Sequence, residues 1–303
     1  MKTDRQIEIR RCRPLVGTFV EVAACGTTTG SLERGINAAF AAVEKVHRLM
    51  SFHDPRSDVS RMNRDAFPKS VIVHPWTWRV LHTAQQFSRE SNGAFDITIA
   101  RLLARQGYLP RRQYQPDNTA TWRDIFLRKN CRVFFRRQLL IDLGGIAKGF
   151  AVDRAIAALK ASGVTAGIVN AGGDLRVFGP VSRIVHVRHP AEPRFAAGAV
   201  RLSERAMATS GVYFVRRIHR GKYVSQLLDG RTGGSARELI SVSVAAAECM
   251  VADALTKLVF ALREQSACLL AQYRADALIL ERDASPSWRF NSSCDTPDQT
   301  QSD

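Results

Sequence analysis

Apolar positions along this chain follow two periods, and the switches between them predict a protein built from both strands and helices. Leu15–Ala24 alternates apolar with small or polar residues and is rich in Val and Phe, the signature of a strand opening just after Pro14. Ser31 then offers an N-cap with Glu33 in the first turn. Ile36, Ala39, Phe40, Val43, Val46 and Met50 recur at helical spacing, an amphipathic helix of about five turns. Asp54–Arg64 reads as turn and loop. Pro75–Ser91 predicts a second helix with Trp76, Val80, Leu81, Ala84 and Phe87 on one face, and Gly107–Thr121 a loop.

Further on, Cys131–Phe135 and Leu139–Leu143 are short apolar runs consistent with a hairpin, followed by a glycine-bearing turn and a helix over Ala147–Ser162 that Gly163 stops. Ile168–Asn170, Leu175–Phe178, Ile184–Arg188 and Ala199–Leu202 read as an antiparallel meander. Strands also fit Tyr213–Arg217, Tyr223–Leu228 and Ile240–Ala246. A long helix follows over Cys249–Tyr273, then a closing strand over Ala277–Glu281. Strands cluster instead of alternating with helices, which predicts an α+β fold with mixed and antiparallel sheets packed against helices. No linker interrupts the pattern, so residues 1–290 are expected to form one domain and 291–303 a polar tail.

Composition narrows the class. The chain has 303 residues, 45% of them hydrophobic and 24% charged, which is globular and excludes disorder or fibre. Six Cys lie far apart with no C-x-x-C pair and no His at zinc spacing, as suits reduced, packed thiols. No segment reads as a secretory leader or a bilayer span, so the chain as written is expected in the cytoplasm, or in the periplasm if a leader is missing upstream. The unusual number is the charge: 44 Lys plus Arg against 28 Asp plus Glu gives +16. Such an excess points to an anionic partner, whether nucleic acid, lipid or a phosphorylated substrate. Its residues are spread along the chain, at Arg10–Arg13, Arg111-Arg112, Arg136-Arg137, Arg216-Arg217 and Arg220, with no basic helix or RNA-binding signature. A nucleic-acid-binding protein is thus a rival that rests on charge alone.

Several segments are polar and glycine-rich where a core would not need them. Ile141-Asp142-Leu143-Gly144-Gly145-Ile146-Ala147-Lys148-Gly149 is a strand-like run that ends in a glycine pair and opens into a helix, an arrangement suited to a phosphate, although a tight βα turn is the plainer reading of the segment alone. Asn170-Ala171-Gly172-Gly173-Asp174, Ala208-Thr209-Ser210-Gly211 and Leu228-Asp229-Gly230-Arg231-Thr232-Gly233-Gly234 are turn chemistry with added polar groups. In the long helix, Asp253, Thr256 and Lys257 stand at i, i+3 and i+4 among apolar neighbours. Oxygen donors there suit Mg²⁺, while the plainer reading is an Asp253–Lys257 ion pair. His186 and His189 fall on opposite faces of a strand segment. His47, His74 and His82 read as surface or packing residues, and Cys249 as a small buried hydrophobe.

In order along the chain, these segments resemble the FAD:protein FMN transferases, the ApbE-like flavin transferase family. The resemblance starts at Arg13-Pro14-Leu15-Val16-Gly17-Thr18 and runs through Met50-Ser51, Ser57–Asn63, Gly93-Ala94-Phe95-Asp96, Asp142–Gly149, Asn170–Asp174, Ala208–Gly211, Ser225–Gly233 and Ala252–Leu255. It implies a transferase that binds FAD, uses Mg²⁺ at the pyrophosphate, and moves FMN onto a Ser or Thr hydroxyl of an acceptor flavoprotein, releasing AMP. By position it implies flavin contacts at Val16, His53, Ala94, Phe95, Asp96, Asp142, Lys148 and Leu228. The implied metal positions are the Gly145 carbonyl, Asp253, Thr256 and Lys257.

The chain departs from the family pattern at four places. Val16 stands where Met is common, His53 where Tyr is common, and Lys257 where a metal-binding Thr is usual. Ser225-Gln226 replaces the usual Ser-His, and Gln cannot take a proton from an attacking hydroxyl. Asp253, directly or through a water, is the remaining candidate base, and Lys257 a cation that could stand in part for Mg²⁺. A relative that hydrolyses FAD with water in place of the acceptor is the second rival.

Overall fold

Residues 6–111, 116–189, 192, 194–211, 217–219, 222–234, 240–281 and 287–289 are described by a computed structural model. The first strand is one that the hydrophobic pattern conceals. β1 (Ile7–Leu15) carries Arg10, Arg11 and Arg13, all exposed, and pairs at the sheet edge with β2 (Thr18–Gly26). Charged side chains at an edge discourage further pairing. Leu15, the expected start of a strand, instead ends one. Val16 and Gly17, at φ 49° and 74°, form a two-residue turn with both central residues left-handed, the hairpin turn that matches strand twist.

α1 (Thr29–Met50) starts two residues before the expected cap, with Thr28 at the N-cap and the Ser31 hydroxyl donating to the Thr28 carbonyl at 2.9 Å. Asp54–Arg64 is not all loop: α2 (Asp58–Asp65) opens where Ser57 Oγ accepts the Ser60 N–H at 3.0 Å, and Val59 and Met62 supply one buried turn. So short an apolar stripe carries little periodic signal. β3 (Val71–Ile72) and α3 (Pro75–Glu90) follow, and His74 caps α3 through Nδ1, which accepts the Trp76 N–H at 3.0 Å. α4 (Ala100–Arg105) leads to the hairpin β4 (Ile125–Arg128) and β5 (Arg132–Phe135). The expected partner of β5 was the wrong one. Leu139–Leu143 is buried but is no strand: the Asn63 side chain takes its main-chain groups, accepting the Ile141 N–H at 2.8 Å and donating to the Ile141 carbonyl at 3.0 Å.

α5 (Ala147–Ala161) matches its expected span, and β6 (Ala166–Ala171), β7 (Asp174–Phe178), β8 (Ser182–Arg188) and β9 (Ala196–Ser203) are the four expected strands. β10 (Ala206–Gly211) is the Ala208–Gly211 segment drawn into the sheet. Of the two strands expected next, β11 (Arg217–His219) and β12 (Lys222–Val224) are short pieces; residues 213–216 lie outside the described residues. After β13 (Ile240–Ala246), the expected long helix is broken. α6 (Cys249–Leu262) ends at Arg263, whose φ of 53° leaves the helical region, and the Ser266 hydroxyl donating to the Arg263 carbonyl at 2.5 Å holds the break before α7 (Ala267–Gln272). β14 (Asp276–Glu281) and β15 (Ser287–Arg289) close the described chain; the expected tail lies beyond it.

Eight strands form one sheet in the order β1-β2-β6-β7-β10-β13-β14-β15, and every pairing among the described residues is antiparallel. Both faces are covered, and alternation along the strands assigns side chains to each. Val242, Val244, Ala277 and Ile279 face the main core, which α1, α5 and α6 complete through Phe40, Phe150 and Leu255. Ala245, Leu278 and Leu280 face the other way, with Leu175, Val177 and Met207, against Val187, Val200 and Leu202 of the β8–β9 ribbon. Among the described residues no helix is long and apolar enough to cross a membrane.

Candidate active site

The glycine-rich segments meet at one end of the large sheet, where β6 ends, β7 begins and β10 ends, beside the start of α5 and the middle of α6. What brings the two helices together is Gly149. A Cβ there would lie 2.3 Å from the Cys249 carbonyl oxygen, so only glycine allows this crossing. Asp153, one turn on, accepts the N–H groups of Cys249 at 3.0 Å and Met250 at 2.9 Å, capping α6 from its neighbour, and Arg176 pairs with it at 2.5 Å.

At the crossing four charged side chains interlock. Asp253, with no exposed surface, accepts the Gly149 N–H on Oδ2 at 3.1 Å and pairs through Oδ1 with Lys257. The plain reading of the i, i+4 spacing is therefore the one realised. Lys148 pairs with Oδ2 of Asp174, which is buried and whose Oδ1 has no hydrogen-bond partner. Burial acts against ionising Asp253, Asp174 and Lys148. For Asp253 it is overcome by Lys257 and Lys148, which hold the carboxyl below its ordinary value. For Asp174, burial and the Asp253 charge prevail over Lys148 and Lys257, and the carboxyl is raised. Burial opposes the Lys148 ammonium too, but Asp174 and Asp253 outweigh it and raise its pKa. Thr256 is also fully buried. Its hydroxyl donates to the Asp253 carbonyl at 2.7 Å and shares a 2.8 Å hydrogen bond with Ser210.

Lys257 leads from this array into a cleft. The lining comprises Ala94, Phe95, Asp96, Ile97, Ile99 and Leu103 on one wall, Asp142, Gly144 and Gly145 on a second, and Gln226, Leu227, Leu228 and Lys257 around them. The walls are pinned from within. Asp96 Oδ1 accepts the N–H and the hydroxyl of Thr98, both at 2.8 Å, and burial raises its carboxyl against these bonds. Gly144 donates to Asp142 Oδ2 at 3.0 Å; Asp142 too is raised by burial, in part offset by this bond and by the charge of His53. Gly230 donates to the Ala94 carbonyl at 3.0 Å, and a Cβ on it would lie 2.4 Å from the Gly93 carbonyl oxygen. The Asp229–Gly233 turn thus docks flat against the Gly93–Asp96 segment.

Of the positions implied for flavin, Ala94, Phe95, Asp96, Asp142 and Leu228 line this cleft. Val16, in its turn, packs against the edge of the main core, and exposed His53 reaches the site only through its field on Asp142. Neither belongs to the lining. Lys148 lies behind it, paired to Asp174. Of the metal positions, Gly145 and Lys257 line the cleft, while Asp253 and Thr256 lie beneath it. Asp253 is also misplaced as a proton acceptor: both its oxygens are engaged, it is fully buried, and its cationic neighbours favour the ionised form. At the start of this helix the Gly149 N–H goes to Asp253 and the Gly144 N–H to Asp142, so neither of these two is offered to an anion. Asp174, Ser210 and the apolar wall of Ile97, Ile99 and Leu103 were not singled out as site residues. Asp174 and Ser210 each carried a signal, as polar residues in glycine-bearing segments, and the apolar wall carried none.

An antiparallel sheet capped by helices, with a half-apolar cleft ending at a half-buried cation, defines an α+β ligand-binding protein. Residues 16–279 match the model of the ApbE family, and the chain belongs to that family. It is 26% identical over 269 residues to the FAD:protein FMN transferase of Haemophilus influenzae, covering 82% of this chain and 78% of that one. Identity is also 26% to the enzyme of that name from Vibrio cholerae, over 76% of this chain and 74% of that one. Among solved structures, the ApbE protein of Thermotoga maritima superposes with a TM-score of 0.83 at 27% identity, covering 93% of this chain and 96% of the other. The apo flavinyl transferase ApbE of Pseudomonas stutzeri gives 0.78 at 23%, covering 94% and 95%.

Proposed function

We propose that this chain is an FAD:protein FMN transferase that binds FAD in the cleft and moves its FMN half onto a Ser or Thr hydroxyl of an acceptor flavoprotein. The observation that carries this reading is the cleft's two-part chemistry. Phe95, Ile97, Ile99, Leu103 and Leu228 offer an apolar wall for a flat ring system, and Lys257 beside Gly144-Gly145 offers positive charge and close backbone approach for phosphates. Family membership supplies the reaction that joins the two.

Phosphoryl transfer asks for positioning and charge neutralisation more than for covalent help. The hydroxyl oxygen forms a bond to the FMN phosphorus as the anhydride bond to the AMP half breaks. AMP leaves with that electron pair, and the hydroxyl proton passes to the phosphate it carries. Gln226, exposed on the lining, orients the hydroxyl through its side-chain carbonyl without taking the proton. Lys257 faces the negative charge, with Asp253 anchoring it.

The Mg²⁺ that the family implies does not fit the donors present. One Asp253 oxygen holds an ammonium and the other an N–H, and the Thr256 hydroxyl is committed to Ser210 and the α6 backbone. Incubating the protein with FAD and an acceptor domain tests the reading: a covalent FMN mass increment on the acceptor with release of AMP supports it. Free FMN alone would overturn it in favour of hydrolysis.

A further inference from the structure

The charge balance of the site carries a step beyond transfer itself, and it rests on that reading of the cleft. A bound diphosphate brings two negative charges. Among the described lining residues Lys257 is the sole cation, and the two lining carboxylates, Asp96 and Asp142, are tied to Thr98 and to the Gly144 N–H. Lys257 is held rather than free: its side chain is 18% exposed, its ammonium pairs with fully buried Asp253, and its Cε would lie 3.7 Å from a Cβ on Gly145. That lodges the ammonium against the Gly144-Gly145 turn.

The ammonium also occupies the one Asp253 oxygen not already bonded to the main chain. A magnesium ion demands near-octahedral oxygen ligation and gives up its waters reluctantly. Here it would have to evict an ammonium from a buried carboxylate while being repelled by that ammonium and by Lys148 behind it. Lysine is a compact point charge with rotatable donors, suited to a phosphate without further machinery.

We infer that Lys257 is the resident cation of the diphosphate site, so that FAD binding and FMN transfer by this chain proceed without a divalent metal. Neutralisation of the anhydride oxygens, commonly the task of a bound ion, is built into α6.

FAD binding to the full-length protein, followed by flavin fluorescence in EDTA and again in excess Mg²⁺, tests this without needing an acceptor. Equal affinity in the two buffers is expected, with Lys257→Met weakening binding about tenfold and Lys257→Arg retaining it. Binding that requires Mg²⁺, or that is untouched in a folded Lys257→Met, would overturn the inference, as would no FAD binding at all. In parallel, transfer is assayed on an acceptor domain that a control reaction with the Vibrio cholerae enzyme shows to be competent. Wild type is expected to transfer FMN equally in EDTA and Mg²⁺, and Lys257→Thr to lose transfer about a hundredfold in EDTA and regain part of it with Mg²⁺. Wild-type transfer abolished by EDTA and restored by Mg²⁺ would overturn the inference. Absence of transfer in both buffers beside metal-independent FAD binding would sink the transferase reading and leave the cation assignment standing.

Discussion

At the junction of α2 and α3, buried Asp58 has its oxygens filled from three sides, by the His74 N–H at 2.8 Å, the Thr77 hydroxyl at 2.7 Å and Arg61 at 2.9 Å. At the crossing of α5 and α6, buried Asp174 keeps Oδ1 without a partner, and Asp253 is matched to a cation that faces the cleft. The first carboxylate is finished by the protein alone and ties two helices together. The second pair lies behind and beneath the cleft, with one carboxylate oxygen unpartnered and one of its cations facing the cleft. Between these two carboxylate clusters, how fully the oxygens are partnered differs more than how deeply they are buried.

The widest separation between the two regions comes from Asp253→Asn. It leaves two ammonium groups close together without their shared anion, and FMN transfer is expected to fall about a hundredfold or more, with ~3 kcal/mol lost in urea denaturation. Asp58→Ala is expected to cost about 3 kcal/mol as well, by orphaning an N–H, a hydroxyl and a guanidinium. Transfer per folded molecule should not change. A matching loss of transfer rate at constant fold would erase the contrast.

Asp174→Asn probes the open side by pH. A carboxyl raised in the fold contributes stability below its ordinary 3.8 and loses it as pH rises through the folded value. The variant stays neutral throughout, so its stability relative to wild type should increase as pH rises above 3.8. Urea midpoints at about pH 4 and about pH 7 read this, and a difference that shrinks with pH would contradict the assignment. Asp253, lowered in the fold, behaves in reverse: its contribution is present above 3.8 and is lost as pH falls through its folded value. The smallest effect is reserved for Gln226→His. If Gln226 only orients the hydroxyl, a base at that position gives transfer a new pH limb near about 6.5, absent from wild type.

How much of this the sequence disclosed follows from where each signal is stored. α3, α5, β13 and β14 bury one regular stripe or run, and their periods are plain. β1 escapes because its edge position rewards arginine, and the break at Arg263 escapes because apolar spacing continues across it in Leu269 and Leu270. The β5 partner was misassigned because Leu139–Leu143 is as apolar as a strand, yet a side chain, Asn63, takes the place of a ladder. In the site, the i, i+4 spacing of Asp253 and Lys257 was local and therefore legible. Ala94, Phe95, Asp96, Asp142 and Leu228 of the cleft walls came only through family resemblance, since each segment alone is ordinary turn chemistry, and Ile97, Ile99 and Leu103 were not read at all. Lys148–Asp174 was hidden because it joins a helix start to a strand start, a contact no spacing encodes.

The seam between Gly230 and Gly93 fixes how closely two distant parts of the chain must approach. Its two strands of loop are far apart in the chain, and closing so long a stretch carries an entropy that helices and hairpins do not. The cleft wall it supports is therefore held only while the elements on both sides are in place, and a side chain at Gly230 would part them. Gly230 has no side chain to offer the cleft, yet the half of the wall that holds Leu228 is positioned by it.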